Sequence, residues 1–178
     1  MACETLSNGI TLDCRVAVGG IKEVYVAALT GGTDAIVGTP SAGVVATFTA
    51  DGTSVSAYAG LEASPFVKVE VPVETASFTE TATYSNENGT AYYTNVLSFP
   101  VNTLDSSTQE FLRVVGQSKK LCALVLDQND TYWFIGNDNG CVATSSTGGS
   151  GTAMTDRSGF VLELTGLHTD PAWEFVVA

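Results

Sequence analysis

Positive charge is scarce in this sequence. Seven Lys and Arg stand against 19 Asp and Glu, the formal net charge is −12, and only 15% of residues are charged. Such a chain does not grip phosphates, because nucleic-acid binding needs clustered cations. The surplus of acid reads either as a solubility device or as a surface that repels DNA while standing close to it. Histidine is nearly absent, with His168 alone, and the four cysteines (Cys3, Cys14, Cys122 and Cys141) include no C-x-x-C pair. Zinc-ligand spacing is therefore missing. No apolar run approaches the ~18 residues a spanning helix needs, so no membrane partner is expected. The opening "MACETLSNGITLDC" has no basic n-region and no apolar h-region, so no signal peptide is expected. Synthesis in a reducing cytoplasm with mostly free thiols follows, with a Cys3–Cys14 bridge across a short loop as the alternative.

What is present is strand-forming. Hydrophobic residues make up 44% of the chain, Gly numbers 18, and Val, Thr, Tyr and Phe recur between turn residues. The pattern predicts an all-β fold, a sandwich or barrel with one flanking helix. Residues 1–20 read as an N-terminal arm, and 21–178 as a single β domain. Strands are expected at 21–29, 44–52, 66–74, 76–85, 90–99, 120–128, 131–137, 158–167 and 173–177, with 44–59 a possible hairpin and Pro72 confining its strand to an edge or an end. The 140–154 segment begins as a strand and turns into a Gly/Ser loop. A helix is predicted near 104–116, capped by Asp105 or Ser106, with a Ser106/Gln109 capping box and Gly116 at C′.

Constellations for chemistry are weak. A Ser150–His168 pair lacks the strand–turn–helix context of a nucleophile elbow, and His168 reads as a solvated loop residue. Asp127, Asn129 and Thr131 alternate as in a calcium loop, but Tyr132 stands where that loop requires Gly and Asp138 where it requires Glu, so the segment reads as a hairpin turn. Trp133 and Trp173, with Tyr132, could form a sugar platform, but core packing is the stronger reading in strands this apolar. "GGSGTAMTDRSG" has no P-loop lysine. No catalytic, cofactor-binding or metal-binding residue is assigned, no cofactor is expected, and the chain is read as a non-enzyme.

The segment "FTETATYSNENGTAYYTNVLSF" (78–99) stands apart. Its two arms are long, rich in Thr and Tyr, and joined by a polar turn, and neither carries a clean apolar face. A ribbon that outruns its own core has unpaired edges, and such edges recruit other chains. The residues expected to form this inter-subunit, lumen-lining hairpin are Ser77, Thr79, Glu80, Thr81, Thr83, Tyr92, Thr94, Val96 and Ser98. A plain edge hairpin of a monomeric sandwich is the competing reading.

The opening "MACETLSNGITLDCRVAVGGIKEVYVA", with its early Cys, second Cys and "GGIK-x-VY-x-A", then the hairpin, "LVLDQNDTYWFIG" and "GTAMTDRSGFVLEL", resembles phage virion structural proteins of the tail tube (major tail) type. That resemblance implies a β core, a flanking helix and a long hairpin that joins subunits into rings of six, stacked into a tube. It also implies a virion tail location after assembly in the host bacterial cytoplasm. The implied partners are copies of the chain, other tail proteins, and DNA only in passage. The N-terminal arm and the 146–153 loop are expected at ring-to-ring contacts. The alternatives are a capsid decoration or a head or tail fibre subunit and, further off, a carbohydrate-binding β-sandwich module.

Overall fold

The computed structural model describes residues 18–28, 47–48, 67–136 and 139–177. In chain order they form β1 (Ile21–Ala28), β2 (Thr47–Phe48), β3 (Val67–Glu70), β4 (Ser77–Ser85), β5 (Thr90–Val101), α1 (Ser106–Gln117), β6 (Leu121–Asp127), β7 (Tyr132–Ile135), β8 (Cys141–Gly149), β9 (Gly159–His168) and β10 (Trp173–Val177). Among the described residues the fold is mostly antiparallel β-sheet with one short helix, and only β10 and β2 pair in parallel. Most of the N-terminal arm, the 44–59 hairpin apart from β2, and the Cys3–Cys14 pair lie outside the described residues.

The sheet has two limbs. In one, β6 is flanked by β1 on one side and β7 on the other, with β3 beyond β1 and β10 and β2 beyond β7. The other runs β8-β9-β5-β4. Among the described residues a single pair, Leu121 with Cys141, joins them. Alternation of side chains along each strand sends Val24 and Val26 of β1, Ala123 and Val125 of β6, Leu97 and Phe99 of β5, and Leu162 and Leu164 of β9 into one buried cluster. Burying each of the larger of these side chains contributes about 1.5–3 kcal/mol. In β6 every residue from Leu121 to Val125 is buried. Its unbroken apolar run therefore corresponds to burial on both faces.

The helix begins two residues after its expected start near 104, with one of the two expected caps in place. Asp105 is the N-cap, and its carboxylate accepts from the Thr108 N–H at 2.7 Å. With Asp105 capping, Ser106 is already helical and the Ser106/Gln109 box does not form. At the other end Gly116 is helical, not C′. The chain leaves at Ser118, whose N–H and hydroxyl both turn back to the Val114 carbonyl. Val115 is buried, and Phe111 and Leu112 pack on the core cluster.

One loop expectation is corrected outright. Residues 146–149 are not loop: β8 continues through Gly149, paired with β9 as far as Gly159. Glycine is required here rather than merely tolerated. The Phe160 ring covers Gly148, and a Cβ on Gly148 would lie 2.2 Å from that ring.

Candidate functional site

The β4–β5 hairpin forms as the sequence predicts, with arms at 77–85 and 90–101 around a four-residue turn. Its register pairs Ser77 with Ser98, Thr79 with Val96, Thr81 with Thr94, and Thr83 with Tyr92. Eight of the nine expected residues therefore share one face. Glu80 does not: it lies on the opposite face across from Asn95, where its carboxylate accepts from the Ala172 N–H at 2.6 Å. Strand parity sets the difference, because Glu80 is an even-numbered residue in a strand whose odd positions form the Thr face.

The polar face extends beyond the hairpin. On β9, Glu163, Thr165 and Leu167 stand across from Ser98, Val96 and Thr94. On β8, Val142 stands across from Thr165. Thr144, two residues on from Val142 and at the register shift between Ala143 and Ser145, also lies on this face, where its hydroxyl donates to the Glu163 carboxylate at 3.0 Å and shares a bond with the Thr165 hydroxyl at 3.1 Å. The result is a broad surface of hydroxyls and small apolar groups. Its one charged group is Glu163, and it contains no Lys or Arg. Sequence reasoning missed the β8–β9 half because Gly and Ser in "TSSTGGSG" read as loop. The alternation in "FVLELTGL" was the signal available.

The edges of this limb are open. Among the described residues β4 pairs only with β5, and β8 beyond Cys141 pairs only with β9. Seven of the nine β4 residues are exposed, on both faces of the strand. Tyr84 is 66% exposed although it lies on the core-side face. The hairpin's outer arm therefore extends past the subunit's own core. Among the described residues β3 pairs only with β1, and it borders a cavity of about 580 Å³ lined by Val67, Val69, Val71, Val101, Thr108 and Phe111. Lys68 and Glu70 are the charged groups there, and no acid–base pair converges in it.

The candidates for chemistry are dispersed by the fold. His168 ends β9 and is 1% exposed, not a solvated loop residue, whereas Ser150 lies in an exposed turn with its hydroxyl on the Gly151 carbonyl. Trp133 pairs with Glu174 and Trp173 with Phe134. The two indoles thus occupy opposite faces and share no platform; Trp173 stacks on Phe134 with ring centroids 6.4 Å apart. Asp127 is consumed by its own turn, accepting from the Asn129 and Thr131 N–H groups at 2.8 and 2.9 Å and from the Trp133 indole at 3.3 Å. Burial alone would raise its carboxyl, but these bonds hold it below the usual carboxylate range. Among the described residues no group of three His, Cys, Asp or Glu could hold a metal ion, and no helix is long and apolar enough to cross a membrane.

No family model, curated protein or solved structure matches the chain.

Proposed function

We propose that this chain is a ring-forming structural subunit of the tail-tube type, with a sandwich- or barrel-like body and a β8-β9-β5-β4 limb that joins its neighbours into one closed sheet. The observation that carries this reading is the pair of edges left open, among the described residues, at the two ends of one antiparallel limb. Along the limb the strands alternate in direction, so β4 of one copy meets β8 of the next in antiparallel orientation. This contact is head-to-tail and closes when the rotation fits a whole number of copies. Closure removes both edges at once.

Strand number supports the same reading. Six hairpins alone would supply 12 strands; with β8 and β9 each copy contributes four, so six copies would give about 24 strands, which at ~4.8 Å each is a barrel about 115 Å round and at least about 37 Å across. The face carrying Thr79, Thr81, Thr94 and Thr165 would line the bore. Short hydroxyl side chains and one acid per copy, on a chain of net charge −12, offer a polyanion nothing to hold, so DNA would slide. A location in a virion tail follows from this role. The carbohydrate-module alternative loses its platform with the two tryptophans on opposite faces.

Electron microscopy and sedimentation velocity on concentrated protein test the proposal. Rings or rods with a central channel are expected; particles that stay monomeric at every concentration would overturn it.

A further inference from the structure

Buried polar side chains gather at one level of the β8-β9-β5-β4 limb. Cys141, Gly166 and Asn95 stand in one row across β8, β9 and β5, and side chains opposite one another in such a row start ~4.5–5.5 Å apart. By strand parity these positions, and His168 two residues along β9, share the face that carries Leu97, Phe99, Leu162 and Leu164 into the core. Gly166 has no side chain, and its neighbours fold into the space above it. The His168 Nε2 lies 2.3 Å, and the Cys141 Sγ 2.8 Å, from the point a Gly166 Cβ would occupy. An imidazole nitrogen and a thiol sulfur thus converge on one small region, at 1% and 0% exposure.

A second observation points to an occupant. Asn95 flanks the same region from β5, is 0% exposed, and has no hydrogen-bond partner for either its amide oxygen or its amide nitrogen. Burying an unsatisfied amide is unfavourable, and a polar or charged species beside it removes that penalty. The donors define the species. Thiol and imidazole suit soft ions, whereas calcium and magnesium take oxygen ligands. Charge narrows the choice further. Cys141 supplies one negative charge on losing its proton. Glu80, across from Asn95, is exposed and its carboxylate accepts from the Ala172 N–H. A monovalent ion on the thiolate leaves the buried site neutral; a divalent ion leaves a positive charge unpaired in the core.

We propose that Cys141 and His168 bind one Cu(I) ion above Gly166, with the Asn95 amide N–H donating to the metal-bound sulfur. Binding breaks the Cys141 S–H bond and forms an S–Cu bond; the proton goes to water, the Nε2 lone pair completes the coordination, and no electron is transferred. Nδ1 keeps the imidazole proton. Burial disfavours a bare Cys141 thiolate, but a thiolate neutralised by the ion escapes that penalty. The ion would clamp β8 to β9 next to the Leu121–Cys141 pair that joins the two limbs of the sheet.

Refolding from urea without oxygen, with Cu(I) supplied as a chelator complex, tests the site without requiring entry through the packed core. In full-length chain carrying Cys3→Ser, Cys14→Ser and Cys122→Ala, one copper per chain is expected by native mass spectrometry, with a raised melting temperature. Adding Cys141→Ser is expected to abolish both effects. Adding His168→Gln is expected to weaken binding at least about tenfold in chelator competition. Asn95→Leu is expected to weaken binding while raising the melting temperature of the metal-free protein, a combination that a purely structural amide would not give. If the starting variant fails to fold, wild type and Cys141→Ser alone are compared, and the latter is expected to carry one copper fewer. No bound copper, equal copper with and without Cys141, or unchanged affinity in His168→Gln overturns the proposal.

Discussion

Asn95 stands directly across from Gly166 in the β5–β9 ladder, and the space where a Gly166 side chain would project is already filled from two sides. The His168 imidazole Nε2 lies 2.3 Å, and the Cys141 sulfur 2.8 Å, from the position a Cβ would take. All three neighbours are buried, with Asn95 and Cys141 at 0% exposure. Gly166 is thus the gap into which a polar and a sulfur side chain pack beneath the limb. Gly166→Ala forces one of them to shift and is expected to destabilise the fold by about 1–3 kcal/mol, read as a lower urea midpoint at unchanged slope. An unchanged midpoint would contradict this packing.

The Asp127 turn has a pH signature. Its carboxyl is held below the usual range by N–H donors that favour the charged form. A depressed folded-state pKa means the contribution is fully present above the unfolded carboxyl value of about 3.9 and fades as pH falls through the folded one. Asp127→Ala is therefore expected to lose about 1–3 kcal/mol at pH 7. The gap to wild type should narrow only below about pH 4, followed by Trp133 fluorescence in denaturant titrations at several pH values. A gap of equal size at pH 3 and pH 7 would show that the charge is not what the turn uses.

The two described thiols are protected. Burial pushes both Cys122 and Cys141 upward, Cys141 to about 12, so neither is an available thiolate near neutrality. Alkylation at pH 8 followed by peptide mapping is expected to leave both unmodified in native protein and to label both after unfolding. Rapid native labelling of either would mean that the limb opens at the Leu121–Cys141 junction.

The open edge of β4 can be probed by proline. In an antiparallel strand the N–H groups of successive residues point to alternate sides, so of Thr81 and Ala82 one bonds within the hairpin and the other faces outward. Proline at the inward position is expected to weaken the monomer. Proline at the outward position is expected to leave its melting temperature nearly unchanged and to abolish assembly. If both variants assemble like wild type, β4 is not the joining edge.

Much of this fold could be read from residue order. β1, the two hairpin arms, β6 and β7 lie within a residue or two of their expected bounds, because alternation and flanking turn residues are local signals. What escaped was tertiary. "TSSTGGS" has poor strand propensity, and β8 persists there because Phe160 covers Gly148 and β9 completes its ladder. His168 looked like a loop residue because its burial comes from the space above Gly166, two positions earlier in its own strand. The faces of Trp133 and Trp173 depended on cross-strand register, which composition does not encode. Among the candidate residues, strand parity alone grouped all but Glu80, whose place on the opposite face was already implied by its position between Thr79 and Thr81.

The limb's even strand number constrains how such a protein could change over evolutionary time. With four strands, the two outer edges run in opposite directions, and in the ring proposed above the seam between copies would have the same pairing geometry as the interior. Gain or loss of one strand would leave a parallel seam with different bond spacing. Descendants of this architecture would therefore be expected to grow or shrink by whole hairpins, with bore diameter changing in steps of two strands per copy.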